Sequence, residues 1–276
     1  MQDDQAKFKV DPKAKYVIKG IVILLLSVSD VLGQVPVGQS ASANIEGTFE
    51  FSMSYHGLPA ARAEMSFLQK PIDGAQTVEI TATVRTKSLF KMLFHINNFY
   101  ITLVNTITGL PVTYRKKIEQ KNISQQLFIE YDRDSLIARS SLEKSWPITA
   151  DCLDLFSMIY RIRADNYRPG QRVEWSVDIE GQLWCVTGQV VTAEPVDGPF
   201  ADLPVRYIEL FFSMLNDVKP RLWKTDLLTN RIAKEGSTLK IYLGPLPQSY
   251  PLKLQFGEGT SSVEMKLEHV RSKSTL

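Results

Sequence analysis

Between Asp154 and Arg163 the chain spaces four polar side chains at steps of three: Asp154, Ser157, Tyr160 and Arg163. On an α-helix each such step turns by about 300°, so the four form one slowly winding ridge. A carboxylate, a hydroxyl, a phenol and a guanidinium in a row can line the mouth of a ligand site, with Arg163 clamping an anionic head group. The same row has a structural use. Asp154 near a helix N-terminus interacts favourably with the dipole, and Tyr160 and Arg163 can hydrogen-bond to strand ends. Helix-end electrostatics account for Asp154 without a ligand, which favours the structural use. Either way the ridge needs a helix laid on a sheet, with Leu155, Phe156 and Ile159 turned towards it.

Little else in the sequence points to chemistry. The three histidines, His56, His95 and His269, stand alone, whereas a metal site needs two or three ligands converging. No metal and no cofactor is expected. The chain has no Gly-x-Ser-x-Gly elbow, phosphate loop, dinucleotide fingerprint, zinc-protease helix or calcium loop. An enzyme would need two titratable groups in one cleft, for instance Asp154 with Tyr160 or His56. Cys152 and Cys185 are the only cysteines. They are too few for a structural zinc site and read as buried thiols, with a disulfide as the alternative.

The elements around the ridge are mostly strands. Phe49, Phe51, Met53 and Tyr55 alternate with Thr48, Glu50, Ser52 and Ser54. After the turn His56-Gly57-Leu58-Pro59, Ala63, Met65 and Phe67 alternate with Arg62, Glu64 and Ser66. That is a hairpin of half-buried strands. The pattern recurs at Val78–Val84, Val112–Glu119, Leu127–Tyr131, Val173–Ile179 with its partner Leu183–Thr192, Leu252–Phe256 and Val263–Leu267. About a dozen strands at hairpin spacing predict an antiparallel system, and no alternation of strands and helices suggests a parallel sheet. Two segments have helical spacing. One is short, inside Ser88–Asn97. The other spans Ala150–Ala164, with Thr149 or Asp151 as cap.

The first 33 residues read as a secretory signal. Five lysines (Lys7, Lys9, Lys13, Lys15 and Lys19) precede an apolar run from Ile21 to Leu32, and Gly33 offers a cleavage point. The run is shorter than the roughly 20 residues a membrane span needs, although an uncleaved signal anchor is the alternative. Residues 34–46 read as a flexible leader, 47–268 as a single β-rich domain and 269–276 as a C-terminal tail. Without residues 1–33 the chain keeps 27 basic and 26 acidic side chains, so nothing in its charge suggests nucleic acid as a partner.

The Asp154–Arg163 ridge resembles, with its neighbours, the bacterial exported family known as domain of unknown function 3108. The aromatic opening hairpin Phe49–Phe67 and the strand Val177-Asp178-Ile179-Glu180-Gly181-Gln182-Leu183-Trp184 carry the likeness. So do the closing elements Leu239–Leu243, Tyr250-Pro251-Leu252-Lys253-Leu254 and Gly257–Leu267. Tyr242, Gly244-Pro245-Leu246-Pro247 and Ala60-Ala61 depart from the family pattern. The family has no assigned reaction, so the resemblance implies fold and export rather than activity.

These readings converge on a mainly β fold: a large curved antiparallel sheet or incomplete β-barrel with one main covering helix. The expected role is non-enzymatic, in the periplasm or at the outer-membrane periphery of a Gram-negative bacterium. An apolar or amphipathic ligand, such as a lipid, or an envelope partner protein would bind to the curved sheet. The alternatives are a structural or assembly protein of the envelope and, third, a hydrolase. The ligand reading places Phe51, Tyr55, Trp175 and Trp184 with the ridge residues Asp154, Ser157, Tyr160 and Arg163 around one apolar pocket of more than about 300 Å³. If the interior is filled instead, the same aromatics are core.

Overall fold

The structure, a computed structural model, describes residues 46–72, 74–91, 95–120, 123–165, 167–215, 226–245, 248–257 and 262–271. The signal segment and the leader up to residue 45 lie outside the described residues. Residues Ser40–Leu276 form one compact unit.

The strands, in chain order, are β1 Gly47–Tyr55, β2 Leu58–Gln69, β3 Thr77–Thr86, β4 Ile96–Asn105, β5 Pro111–Gln120, β6 Ile123–Asp132, β7 Ile137–Ser140 and β8 Ser145–Pro147. They continue as β9 Leu153–Asp154, β10 Arg172–Ile179, β11 Gln182–Ala193, β12 Val205–Met214, β13 Thr238–Leu243, β14 Pro251–Phe256 and β15 Val263–Arg271. All 15 belong to one sheet, in the order 8-7-6-5-4-3-2-1-15-14-13-12-11-10-9. The count exceeds the dozen expected, because β4, β7, β8 and β12 carry weaker alternation than the strands beside them. The order follows from hairpins: each strand pairs antiparallel with its chain neighbour, and β1 pairs with β15 to join the two halves. Only the short β9 runs parallel to its partner, β10.

The alternation predicted for the opening hairpin is what the burial shows. Phe49, Phe51, Ala61, Ala63, Met65 and Phe67 are buried, while their polar neighbours face outward. His56 and Gly57 close this hairpin with φ of 52° and 75°, and Glu180 and Gly181 close β10–β11 with 56° and 92°. Two consecutive positive φ values give the turn whose twist matches that of the flanking strands.

The edges β8 and β9 share no backbone ladder among the described residues, so the sheet is open. It is rolled instead, and side chains fasten the overlap. On β10, Val177 and Asp178 point to opposite faces, yet they are 0% and 1% exposed. Burial on both faces requires cover on both. Tyr131 of β6 and Trp146 of β8 supply it on one side, each donating to the Asp178 carboxylate at 3.1 Å.

The main helix, α1 (Leu155–Ala164), lies inside the curve rather than over it. Phe156 packs against Tyr100 of β4 and Tyr114 of β5, with ring centroids 5.4 and 6.3 Å away. Two helical expectations change. Within Ser88–Asn97 the described residues form a 3-10 turn at Ser88–Phe90, and Ile96 and Asn97 belong to β4, while Met92 and Leu93 of the expected helix lie outside the described residues. The cap of α1 is Asp154, not Thr149 or Asp151. A second short helix, α2, spans Leu227–Ile232.

Candidate functional site

The polar ridge serves the helix itself. Asp154 Oδ1 accepts from the Ser157 backbone N–H at 2.6 Å, and Ser157 Oγ accepts from the Asp154 N–H at 2.8 Å. This reciprocal capping box satisfies two helix-end donors. The second carboxylate oxygen accepts from Thr102 Oγ1 of β4 at 2.8 Å, tying the helix start to the inner sheet face. Arg163, 2% exposed, lies over Phe49 and Phe67 at 4.6 and 4.2 Å from their ring centroids. It donates to the backbone carbonyls of Ser249 and Gln248, just before β14. Burial pulls its pKa down to about 9. Tyr160 is buried beside them, its phenol pKa raised by burial. Asp154 hydrogen-bonds with neither Tyr160 nor His56, so the acid pair an enzyme reading called for is not formed.

The aromatic contacts of Tyr55, Trp175 and Trp184 are made with rings outside this ridge. Phe51 is buried in the core. Tyr55 lies at the end of β1, edge-on to His56 at 4.1 Å, and accepts a hydrogen bond from Arg231 at 3.2 Å. Trp175 packs on Tyr167 and Trp184 on Phe212, at 6.2 and 6.4 Å between centroids. The buried indole N–H of Trp184 has no acceptor among the described residues. Among the described residues the space under α1 is occupied by side chains rather than by the large apolar pocket expected. Leu155, Phe156 and Ile159 enter the curve from the helix and leave an apolar cavity of about 40 Å³ against β13–β15.

Sequence reading missed a set of polar side chains inside the roll. Lys116 of β5 is 3% exposed and donates to Glu180 Oε2 at 2.5 Å, while Tyr114 donates to Oε1 at 3.1 Å. Asp178 accepts from Tyr131, Trp146 and the Gly181 N–H, the last at 2.9 Å. Asp226, fully buried, accepts from the Thr229 N–H and hydroxyl. For Asp178, Asp154 and three phenols of this set, burial is the largest influence. It raises Asp178 to about 7 and lifts Asp154 and the phenols of Tyr100, Tyr114 and Tyr131 above their ordinary values. The cavity between them is about 20 Å³, room for about one water and not for a substrate. A signal was present: Lys116 falls on the same alternating face as Tyr114 and Ile118, and Asp178 sits between Val177 and Ile179. Among the described residues no group of three His, Cys, Asp or Glu is placed to hold a metal.

Open space lies on the outer face. There a concavity of about 840 Å³ runs across β1–β3, bordered by Lys87–Leu89, Lys91 and the start of β4. Arg62, Arg85, Lys87, Lys91 and His269 line it, together with Glu50, Glu64 and Glu268. Neither cysteine is paired: Cys152 is buried, whereas Cys185 is only half-buried.

Comparison with known proteins agrees with the fold. The chain is similar to a beta-barrel-like protein of domain of unknown function DUF1849 from Brucella abortus, at 9% identity and a TM-score of 0.54. The likeness covers 83% of this chain and 98% of that one. A DUF1089 family protein from Pseudomonas aeruginosa is similar at 10% identity over 69% of this chain and 87% of its own, with a TM-score of 0.36. No curated protein matches the sequence. The family model described as "Protein of unknown function (DUF3108)" matches residues 50–268, a span that runs from the opening hairpin through the capped helix to β15. With that match the chain belongs to the DUF3108 family.

Proposed function

We propose that the protein is exported to the bacterial cell envelope and works there as a non-enzymatic binding protein, using the outer face of its rolled sheet. One observation carries this reading: among the described residues the cavities beside the helix and the buried acids are small, and a far larger concavity lies outside. The cavities among the buried groups are about 20 and 40 Å³, far below the roughly 300 Å³ of a small-molecule site. The buried acids and bases hold the overlap of the sheet together, so little is left inside for catalysis. Export is supported by the basic and apolar pattern of residues 1–33. A filled interior equally suits the second reading, a structural envelope protein that binds no small molecule.

Photo-crosslinking in intact Gram-negative cells separates these readings. A photoreactive residue is placed at Thr83 or Asn97 on the outer face, or at Ile159 inside the roll, and the cells are fractionated by osmotic shock. The expected result is protein in the periplasmic extract, with adducts from the outer positions only. Adducts from Ile159 would overturn the reading in favour of an internal ligand. A lack of adducts from every position would favour the structural reading, and retention in the cytosol would refute export.

A further inference from the structure

From the arrangement of charge in the outer concavity we infer that it binds an anionic amphiphile, a phosphate-bearing head group with an apolar chain. The inference rests on the binding-protein reading and names its ligand class. In the β2–β3 ladder Arg62 lies directly opposite Arg85. Side chains at such positions stand about 5 Å apart at Cβ, and like charges there destabilise a sheet. The row continues: Arg62 faces Ser52 on β1, and Ser52 accepts from Lys87 Nζ at 3.3 Å. Three cations thus meet on β2, on β3 and at the residue just after β3. Among the described residues, none of the three has an ion-pair partner.

Of the acids that line the concavity, Glu50 and Glu64 are held by Arg271 at 2.7 Å each, and neither they nor Glu268 form an ion pair with Arg62, Arg85 or Lys87 among the described residues. A sheet that holds an unfavourable pair at the floor of a concavity is arranged for an anion to complete it. Paired guanidinium groups match the oxygens of a phosphate better than lysines do. The wall supplies the second half of the ligand. Leu89, in the 3-10 turn that borders the concavity, is 90% exposed and lies between Lys87 and Lys91. An exposed leucine beside a cationic floor fits a molecule that is charged at one end and apolar at the other.

Isothermal titration of the full chain tests this with soluble short-chain lipids below their micelle concentration. Any contribution of the N-terminal apolar run is then common to every variant. Dihexanoyl-phosphatidylglycerol is expected to bind, and dihexanoyl-phosphatidylcholine and glycerol phosphate to bind at least about tenfold more weakly. Arg62→Gln and Arg85→Gln should each weaken binding of the anionic lipid by about ten- to a hundredfold. Leu89→Ser should reduce it while leaving glycerol phosphate unaffected. Both arginine variants should melt at or above the parent temperature, because each removes a repulsion; a clear drop would mark the pair as structural and overturn the inference. Equal binding of the two lipids would remove the anion from the argument, and equal binding of glycerol phosphate would remove the apolar chain. If crosslinks still form at Thr83 or Asn97 in the Arg62→Gln variant, the binding-protein reading survives and only the ligand class falls.

Discussion

Replacing Lys116 by methionine should destabilise the protein more than any change to its surface lysines. The Lys116 side chain is 0% exposed and that of Glu180 6%, and their charged atoms are 2.5 Å apart. The pair joins β5 to the β10–β11 turn, 64 residues along the chain, across the overlap of the sheet. Methionine fills nearly the volume of lysine, so the main effect is a carboxylate left buried without its cation. Breaking a buried pair from one side costs about 3–5 kcal/mol. At roughly 2–4 °C per kcal/mol for a chain of this size, the melting temperature should fall by about 6–20 °C. Urea titration of Lys116→Met, Glu180→Gln and the double variant reads the effect directly. The double variant removes both charges and should recover most of the loss, because replacing a whole buried pair is often neutral or favourable. A single variant within about 1 kcal/mol of the parent, or single effects that simply add in the double, would refute the argument that this pair fastens the roll.

Two further outcomes follow from the buried titratable groups. Burial raises Asp178 to about 7, so between about pH 4 and pH 7 the folded protein keeps a proton that the unfolded chain releases. Stability should therefore fall as pH rises through that window and level off above it, by at most about 4 kcal/mol. Asp178→Asn, whose amide can still accept from Trp146 and Gly181, should flatten the slope in urea midpoints taken from pH 4.5 to 7.5; an unchanged slope would refute the assignment. Under native conditions a thiol reagent should label Cys185 slowly and Cys152 not at all, since Cys152 is buried and its thiol pKa is pushed up to about 12. Unfolding without reductant should expose both, and peptide mapping that finds Cys152 labelled in the native state would contradict the packing.

Hairpins were the most legible part of the fold. Phe49–Phe67, Val173–Trp184 and Leu252–Leu267 alternate cleanly, because each strand buries one face and wets the other. The strands that were not singled out differ. β4 carries the outward-facing Phe99, Ile101 and Leu103 opposite its buried face, which hides the alternation. β7 and β8 are four and three residues long, too short to show a period. The Ser88–Asn97 pattern had helical spacing but lies between two long strands, and their pairing claimed its last two residues.

The ridge shows the same division within one element. Its spacing was enough to expect a helix with a polar row, and the electrostatics of a helix end were enough to favour a structural role for Asp154. Those are local matters: helix geometry and capping depend on residues three or four apart. That Asp154 also meets Thr102, that Arg163 lies over Phe49 and Phe67, and that Lys116 finds Glu180 depend on how far the sheet curls before its ends overlap. Curl accumulates over 15 strands, and no window of sequence contains it. The apolar residues were bound to be buried against something. Whether they filled the space or lined it was settled only when α1 entered the roll, leaving the outer face to carry the open concavity.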